Sequence, residues 1–388
     1  MLALICLARF SMAAHFQAIP PLGPALARDL GFSQTQIGTL IGLFMFPGVF
    51  IALPSGVLAN RFGDRAMTLA AMALLSIGGG VMMLATGFPG AFTGRLIGGV
   101  GLVFVNVVTT KMVTDWFSGK EIATAMGIML SAWPLGIALA LSTLGALADA
   151  TSWQVAVGTP IVFSTLAFAL VAWLYREPPR AALPAGTSPR LWQISGVEAV
   201  LVAAMGAIWM LTNAGYIVFV GFAPAWLRSI GHSATVAGFG VGLSSLLMIV
   251  SVPLGGWLTD RIGRINALIV WGSVGGVALV LAFSTGVTPV LWTALFGLLG
   301  GVWAPAIMTL PSQVLSPASR ATGFGIFYIV FYAGMGASPT IAGWLQDRTQ
   351  EPRTAIWLAG LLIALCIVAL GVFRILQRRL QPVTPSAA

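Results

Sequence analysis

Charged side chains are scarce in this sequence: Asp, Glu, Lys and Arg together make up 7% of its 388 residues, whereas 58% are hydrophobic. A soluble domain carries about 25% charged residues, so most of the surface of this chain cannot face water. The solvent that suits such a surface is lipid, where a spanning helix needs about 20 mainly apolar residues. The composition therefore predicts a polytopic α-helical membrane protein.

Groups for covalent, redox or metal chemistry are also few. The sequence has two cysteines and two histidines, and Cys6 and Cys366 both fall inside apolar runs, which gives no basis for a disulfide framework or a metal site. A Gly-x-x-x-x-Gly-Lys-(Ser/Thr) phosphate loop is missing, so ATP-driven transport has no support. We expect no metal, no cofactor and no enzymatic activity, and an integral-membrane enzyme or sensor is the remote alternative.

Twelve apolar runs can each form a spanning helix, and we number them spans 1 to 12. They cover residues 2–19, 36–58, 67–86, 90–113, 123–147, 153–175, 196–220, 236–258, 266–285, 289–310, 322–345 and 355–375. The first run lacks the basic start of a secretory signal, and Arg9 interrupts its apolar core, so we interpret it as a retained span. The expected fold class is an all-α membrane protein with twelve transmembrane helices in two six-helix bundles.

The basic residues behind the net charge of +9 are distributed unevenly between the two sides of the predicted membrane protein. With the N-terminus in the cytoplasm, twelve basic residues fall on the inside: Arg61, Arg65, Lys120, Arg176, Arg180, Arg190, Arg261, Arg264, Arg320, Arg374, Arg378 and Arg379. Four fall on the outside: Arg28, Arg228, Arg348 and Arg353. This bias is the positive-inside rule, so the charge reflects topology, and we expect a lipid bilayer and no nucleic acid as partner. The prediction is a multi-pass protein of a bacterial inner membrane with both termini cytoplasmic.

The two halves of the sequence repeat each other at an offset of 200. "PALARDLGFSQTQIGTLIGL" (24–43) aligns with "PAWLRSIGHSATVAGFGVGL" (224–243), and the offset later drifts to 198, where "TAMGI" (124–128) meets "TGFGI" (322–326). Parallel repeats of six spans are a feature of one class of secondary transporter. The predicted domains are a first bundle (1–175), a cytoplasmic linker (176–194), a second bundle (195–376) and a cytoplasmic tail (377–388).

A short charged turn is part of this repeat, as "GVLANRFGDR" (56–65) after span 2 and "GWLTDRIGR" (256–264) after span 8. Twelve spans with this doubled turn resemble the major facilitator superfamily over essentially the whole chain. The resemblance implies that the turns clasp a neighbouring helix end and favour the outward-facing state. The first copy has Asn60 where the family usually has Asp, so we expect a weaker or rearranged first clasp. The predicted gating residues are Gly56, Asn60, Arg61, Gly63, Asp64, Arg65, Gly256, Asp260, Arg261, Gly263 and Arg264.

The charges that remain inside the spans are cationic: Arg9 in span 1, Arg95 in span 4 and Lys111 near the end of span 4. An ionisable group inside a bilayer is costly and by default marks a pathway. Because no carboxylate lies mid-span, an arginine there favours an anionic substrate, whose oxygens match the guanidinium fork. For Arg95 a structural contact with backbone carbonyls is an equal alternative, and for Lys111 we favour snorkelling. His15 is the candidate for proton coupling, with packing as its alternative.

Polar and aromatic residues of other spans complete the predicted site, since ligand pockets combine aromatic walls with a few polar anchors. The predicted substrate-binding residues are Arg9, Arg95, Asn106, Trp133, Asn213, Tyr216, Trp303, Tyr328 and Tyr332. Arg9 also resembles the span 1 arginine of anion:cation symporters, although the acids of that group are missing here. Nitrate/nitrite and cyanate porters are looser resemblances.

These observations predict a secondary active transporter that moves a small organic or inorganic anion by alternating access, as a monomer and with or without a coupling proton. A multidrug or metabolite efflux antiporter of the same superfamily is the alternative. Span 5 reads "SAWPLGIAL" (131–139) and lacks the Gly-Pro-x-x-Gly motif of the drug antiporters, which weakens that alternative.

Overall fold

The computed structural model describes residues 1–117, 122–177, 194–316 and 319–380. Its helices are α1 (Leu2–Phe16), α2 (Ile19–Leu30), α3 (Gln34–Leu43), α4 (Gly48–Phe62), α5 (Asp64–Met83), α6 (Phe88–Trp116), α7 (Ile122–Ala150), α8 (Trp153–Leu174), α9 (Gly196–Ser229), α10 (Ala234–Ile262), α11 (Ile265–Ser284), α12 (Pro289–Gly300), α13 (Ala304–Met308), α14 (Arg320–Thr349) and α15 (Arg353–Leu380). A 3₁₀ turn at Leu310–Gln313 follows α13. Within the described residues these form twelve stretches long and apolar enough to cross a membrane. The predicted fold class is confirmed.

Three of the twelve spans are broken rather than continuous. Span 1 consists of α1 and α2, span 2 of α3 and α4, and span 10 of α12, α13 and the 3₁₀ turn. Proline occupies the first positions of α2, precedes α4 as Pro47 and opens α13 as Pro305. Proline has no N–H and cannot continue a helical hydrogen-bond ladder. Each break therefore leaves backbone carbonyls that need donors from elsewhere.

The two halves meet along two pairs of helices. Span 2 crosses span 11 so closely that a Cβ on Gly38 would collide with the carbonyl oxygen of Pro339. Span 5 crosses span 8 in the same way at Gly238, whose added Cβ would collide with the carbonyl oxygen of Leu141. Small residues allow such close approach of helix backbones.

Chain direction defines two faces of the helix assembly. We call the face where α1 begins and α15 ends the terminal face, and the opposite face, where α2 and α14 end, the distal face. The hydrogen bonds that join the halves are concentrated toward the distal face, at Gln17–Val220, Asp347–Thr35 and Arg228–Asp149. The structure is thus a conformation in which the distal side is held closed.

The sequence repeat corresponds to repeated local geometry. Gly63 and Gly263 both have positive φ, at 87° and 64°, a region that glycine enters without steric cost. Ser33 and Ser233 both cap the following helix, by accepting the N–H of Gln36 and of Val236. Most of the predicted linker (178–193) and the end of the predicted tail (381–388) lie outside the described residues, so the domain boundaries stay a prediction.

Candidate functional site

Arg9 lies where the two halves meet, and among the described residues no acidic side chain pairs with its guanidinium. Its side chain is 8% exposed, its Nη1 atom is 3.4 Å from Thr109 Oγ1 on span 4, and its Nε atom is buried without a hydrogen-bond partner. A buried charge is costly unless it is paired. Arg9 therefore presents unused positive charge and at least one unused donor.

Span 11 supplies the opposite wall through Tyr328 and Tyr332. Both phenols lie within electrostatic range of Arg9, and their ring centroids are 6.3 Å apart. The hydroxyl of Tyr332 accepts a hydrogen bond of 3.2 Å from Asn106 Nδ2, so this contact joins the two halves. Its own proton stays available for a ligand. We call Arg9, Asn106, Thr109, Tyr328 and Tyr332 the central site.

Arg95 has all three kinds of guanidinium nitrogen engaged with backbone. Its Nε donates to Leu40 O at 2.8 Å, Nη1 to His15 O at 2.7 Å and Nη2 to Phe16 O at 3.1 Å. The guanidinium carbon lies 3.9 Å from the centroid of the Phe44 ring, a cation–π contact. These carbonyls belong to the last turns of α1 and α3, which both stop inside their spans. Arg95 thus holds two helix breaks together in this conformation.

His15 is packed inside the first half, away from the central site. Its Nε2 is 3.0 Å from Ser164 Oγ, which is 2.8 Å from Ser76 Oγ. A cavity of about 10 Å³ between His15 and Arg95 has room for about one water molecule. The geometry favours a polar packing contact between spans 1 and 6, and proton coupling through His15 stays a prediction.

The remaining predicted substrate-binding residues are distributed over both halves. Trp133 stacks on Phe16 of span 1 at a centroid distance of 5.2 Å, and Tyr216 bonds Ser245 at 2.7 Å while stacking on Phe296. Trp303 is buried against Gly272 of span 9, inside the second half. Their contacts to substrate stay predictions, because the structure does not bring them to Arg9.

Asn213 is connected to the central site through aromatic neighbours. Its Nδ2 donates to Trp209 O at 2.8 Å, the Trp209 ring lies 6.3 Å from that of Phe331, and Phe331 contacts Tyr332 at 5.2 Å. Sequence reasoning missed Thr109, Trp209 and Phe331. The signal for Thr109 was its spacing three residues after Asn106, which places both on one helix face.

The first charged turn forms a partly buried ion-pair cluster on the terminal face. Asp64 is 4% exposed and accepts from Lys111 Nζ at 2.9 Å, while Lys111 also contacts Asp115 at 2.6 Å. Lys111 is therefore ion-paired, in contrast to the expected snorkelling. Arg65 donates to Ala172 O at the end of span 6, Arg61 lies exposed over the Phe62 ring, and the side chain of Asn60 lies outside the described part.

The second turn is exposed in this conformation. Asp260, Arg261, Gly263 and Arg264 are all exposed, and Arg261 lies 5.1 Å from the Trp257 ring centroid. Nothing lies within 4 Å of a Cβ built on Gly56 or Gly256. Neither glycine therefore makes the close helix contact of a clasp here, which agrees with a state whose distal side is closed. The gating role itself stays a prediction.

Comparison with known proteins decides the family. The sequence profile of the Major Facilitator Superfamily matches residues 5–215 and 201–388, which together cover nearly the whole chain. The chain belongs to the Major Facilitator Superfamily. The resemblance inferred from the doubled turn is confirmed, and the protein is a multi-pass membrane transporter of this superfamily.

Curated relatives and solved structures agree with this assignment. The chain is 24% identical to a putative tartrate transporter of Agrobacterium vitis, covering 89% of this chain and 86% of that protein. It is 25% identical to a probable nitrate/nitrite transporter, NarK2, of Mycobacterium tuberculosis, covering 90% of this chain and 89% of that protein. A crystal structure of the nucleoside transporter NupG superposes with a TM-score of 0.78 at 14% identity, covering 97% of this chain and 99% of that one, and this likeness is one of fold.

Proposed function

We propose that the protein moves a small organic or inorganic anion across the membrane by alternating access. One observation carries the proposal: Arg9 is buried between the halves with an unpartnered Nε and no carboxylate beside it. A buried charge without a partner destabilises the protein: removing one partner of a buried ion pair costs about 3–5 kcal/mol of stability. A bound anion supplies the missing partner.

The position of the central site suits a mechanism in which the halves rock about the substrate. Arg9, Asn106 and Thr109 belong to the first half, whereas Tyr328 and Tyr332 belong to the second, and the Asn106–Tyr332 hydrogen bond spans the junction. Opening the distal side would separate Asp347 from Thr35 and allow the exposed Asp260 turn to engage on the terminal face. Substrate sites at the interface of repeats are the usual arrangement for such transporters.

The relatives support the anionic class, because tartrate and nitrate are both anions. Within the described residues every acidic side chain lies at or near a helix end or between helices, so the interior offers no carboxylate to carry a coupling proton. We therefore favour uniport, anion exchange, or symport of a proton carried by the substrate. We also propose a bacterial inner-membrane location, both termini cytoplasmic by the positive-inside rule, and a monomer.

The test is thermal unfolding of the purified protein with a panel of ligands: nitrate, several carboxylates, and lipophilic neutral and cationic compounds. A ligand at a hundred times its Kd adds about 2.7 kcal/mol of stability. We expect particular anions to stabilise the wild type and to have no effect on Arg9→Gln. Because that variant removes an unpaired buried charge, its ligand-free stability should match or exceed that of the wild type.

Arg353→Gln is the matched control, since Arg353 is an exposed arginine on the distal face and its loss should leave anion binding intact. Stabilisation by lipophilic cations alone, unchanged in Arg9→Gln, would contradict the proposal and favour an efflux antiporter.

A further inference from the structure

Within the described parts of the spans, the positive charge available to a ligand is limited to the guanidinium of Arg9. Three other groups in the spans could compete for that role, and each is already engaged. Arg95 donates to three carbonyls, Lys111 pairs with Asp64 and Asp115, and His15 contacts Ser164. The groups that face Arg9 are Cys6 on its own helix, Thr109 on span 4 and the two tyrosines on span 11, none of which carries a second positive charge.

We infer that the central site selects substrates with a single net negative charge and discriminates against dianions of the same size. The inference rests on the proposed function and specifies its substrate class. One negative charge neutralises Arg9. A second negative charge would remain uncompensated in a buried site, where desolvation of an unpaired ion is strongly unfavourable. A dicarboxylate is then bound as its singly protonated form, and the proton crosses on the substrate.

The neutral groups of the site favour a substrate that also carries hydroxyl groups. The Tyr332 hydroxyl accepts from Asn106 and so has its proton to donate. The Thr109 hydroxyl donates to Val105 O at 2.7 Å and accepts from Arg9 Nη1, which leaves it one lone pair as an acceptor. Tyr328 adds a phenol beside them. A hydroxylated monocarboxylate matches this set, with its carboxylate on Arg9 and its hydroxyls on the phenols.

The experiment compares three probes that share a six-carbon polyol chain. Gluconate has one carboxylate, glucarate has two, and the monoamide of glucarate has the length of glucarate with one charge. Binding to the purified full-length protein is measured by calorimetry at neutral pH, with nitrate as a small monoanion. We expect gluconate and the monoamide to bind with similar affinity and glucarate to bind about tenfold more weakly or worse, a difference of one decade in Kd or more.

The outcomes separate charge from size and separate this inference from the proposed function. Weak binding of the monoamide, equal to that of glucarate, would assign the discrimination to length and overturn the inference. Glucarate binding as tightly as gluconate, lost in Arg9→Gln, would overturn the inference and leave the anion transporter standing. Binding of none of the probes, nitrate included, would overturn both.

A charge-adding variant gives a second test with the opposite sign. Asn106 is partly exposed on the face that carries Thr109, so Asn106→Lys adds a second cation to the site, whereas Asn106→Gln leaves the single positive charge of Arg9 unchanged. We expect Asn106→Lys to shift the glucarate-to-gluconate affinity ratio by tenfold or more toward glucarate, and Asn106→Gln to leave the ratio as in the wild type. An unchanged ratio in both variants would contradict selection by charge count.

Discussion

The two halves repeat each other in sequence, yet their first two spans are built differently. Spans 1 and 2 stop and restart, at Gln17–Ala18 and at Phe44–Pro47, whereas their counterparts α9 (Gly196–Ser229) and α10 (Ala234–Ile262) run without a break. The first half therefore contains helix ends in the middle of the membrane at places where the second half has none.

The position of prolines explains why span 1 is broken and its counterpart, span 7, is continuous. Pro20 and Pro21 follow the end of α1, and the repeat places Val220 and Gly221 at the same positions of span 7. A single proline does not break these spans, because Pro224 and Pro253 both lie inside continuous helices. Pro20 and Pro21 cannot donate to the carbonyls four residues before them, those of Phe16 and Gln17. The Phe16 carbonyl accepts from Arg95 instead, and so does the neighbouring carbonyl of His15.

The residue at the Arg95 position differs accordingly. At the offset of 198 its counterpart is Thr293, whose hydroxyl donates only to Pro289 O and Val290 O of its own helix. The arginine occurs in the half whose first two spans are broken, and threonine occurs in the half where the equivalent spans are continuous. Arg95 is thus an intramembrane arginine with a structural role. Arg9, seven residues before the break, is the arginine that we propose as a ligand group.

Of the substitutions considered, Arg95→Gln is expected to have the largest effect on stability. The substitution leaves buried carbonyls in α1 and α3 without charged donors, at about 1–3 kcal/mol for each unsatisfied group, so we expect a loss of about 3 kcal/mol or more. Thr293→Val, at the equivalent position of the second half, should change stability by about 1 kcal/mol or less. Thermal unfolding of the purified variants measures both, and equal losses would contradict the assignment.

Replacing a proline tests whether the role of Arg95 depends on the helix break in span 1. Pro20→Val copies Val220 of the second half and restores an N–H for the Phe16 carbonyl. In the Arg95→Gln background it should recover about 1 kcal/mol, whereas in the wild type it competes with Arg95 and should bring no gain. Strictly additive effects of the two substitutions would show that Arg95 and the break are independent.

Sequence reasoning reached the fold because the signals for it are long and repeated. The apolar runs, the offset between halves and the glycines at 63 and 263 are each visible without coordinates. The candidate site was predicted only in part: the structure brings Arg9, Asn106, Tyr328 and Tyr332 together, whereas Trp133 and Trp303 pack inside separate halves. Which face of a helix meets the other half depends on packing angles, and the bonds of Arg95 depend on two breaks that apolarity alone does not reveal.

The halves also differ at the distal face, where each contributes one acid at the end of an equivalent span. Asp347 of span 11 accepts from Gln34 N at 2.9 Å, Thr35 N at 2.8 Å and Thr35 Oγ1 at 2.6 Å. Its counterpart Asp149 of span 5 forms an ion pair of 2.9 Å with Arg228. The first contact uses backbone donors at a helix N-terminus, where negative charge is favoured, and the second uses two partly exposed side chains.

An intermediate effect is therefore expected from Asp347→Asn, which removes the negative charge and replaces one of the two acceptor oxygens by an NH2 group facing N–H donors. Loss of charge-assisted hydrogen bonds, about 1.5–3 kcal/mol each, should shift the protein toward states with an open distal side. Asp149→Asn should shift it by about 0.2–1 kcal/mol, as for other exposed pairs. Spin labels at Thr86→Cys and Val287→Cys, in a background without Cys6 and Cys366, report the distance between the halves. Equal shifts in Asp347→Asn and Asp149→Asn would contradict the proposed difference between the two contacts.

The smallest effect is expected at Arg228, which forms an ion pair across the halves, whereas its counterpart Arg28 pairs within its own half. Arg28 has Asp29 as its neighbour and pairs with it at 2.7 Å, whereas Arg228 is followed by Ser229 and extends to Asp149. Ser229→Asp should draw Arg228 into a local pair and weaken the Asp149 contact by about 0.2–1 kcal/mol, with Ser229→Asn as the neutral control. The same label pair should show a slight opening that disappears in the Asp149→Asn background. If Ser229→Asp still opens the distal side there, the neighbouring acid acts on something other than the Arg228–Asp149 pair.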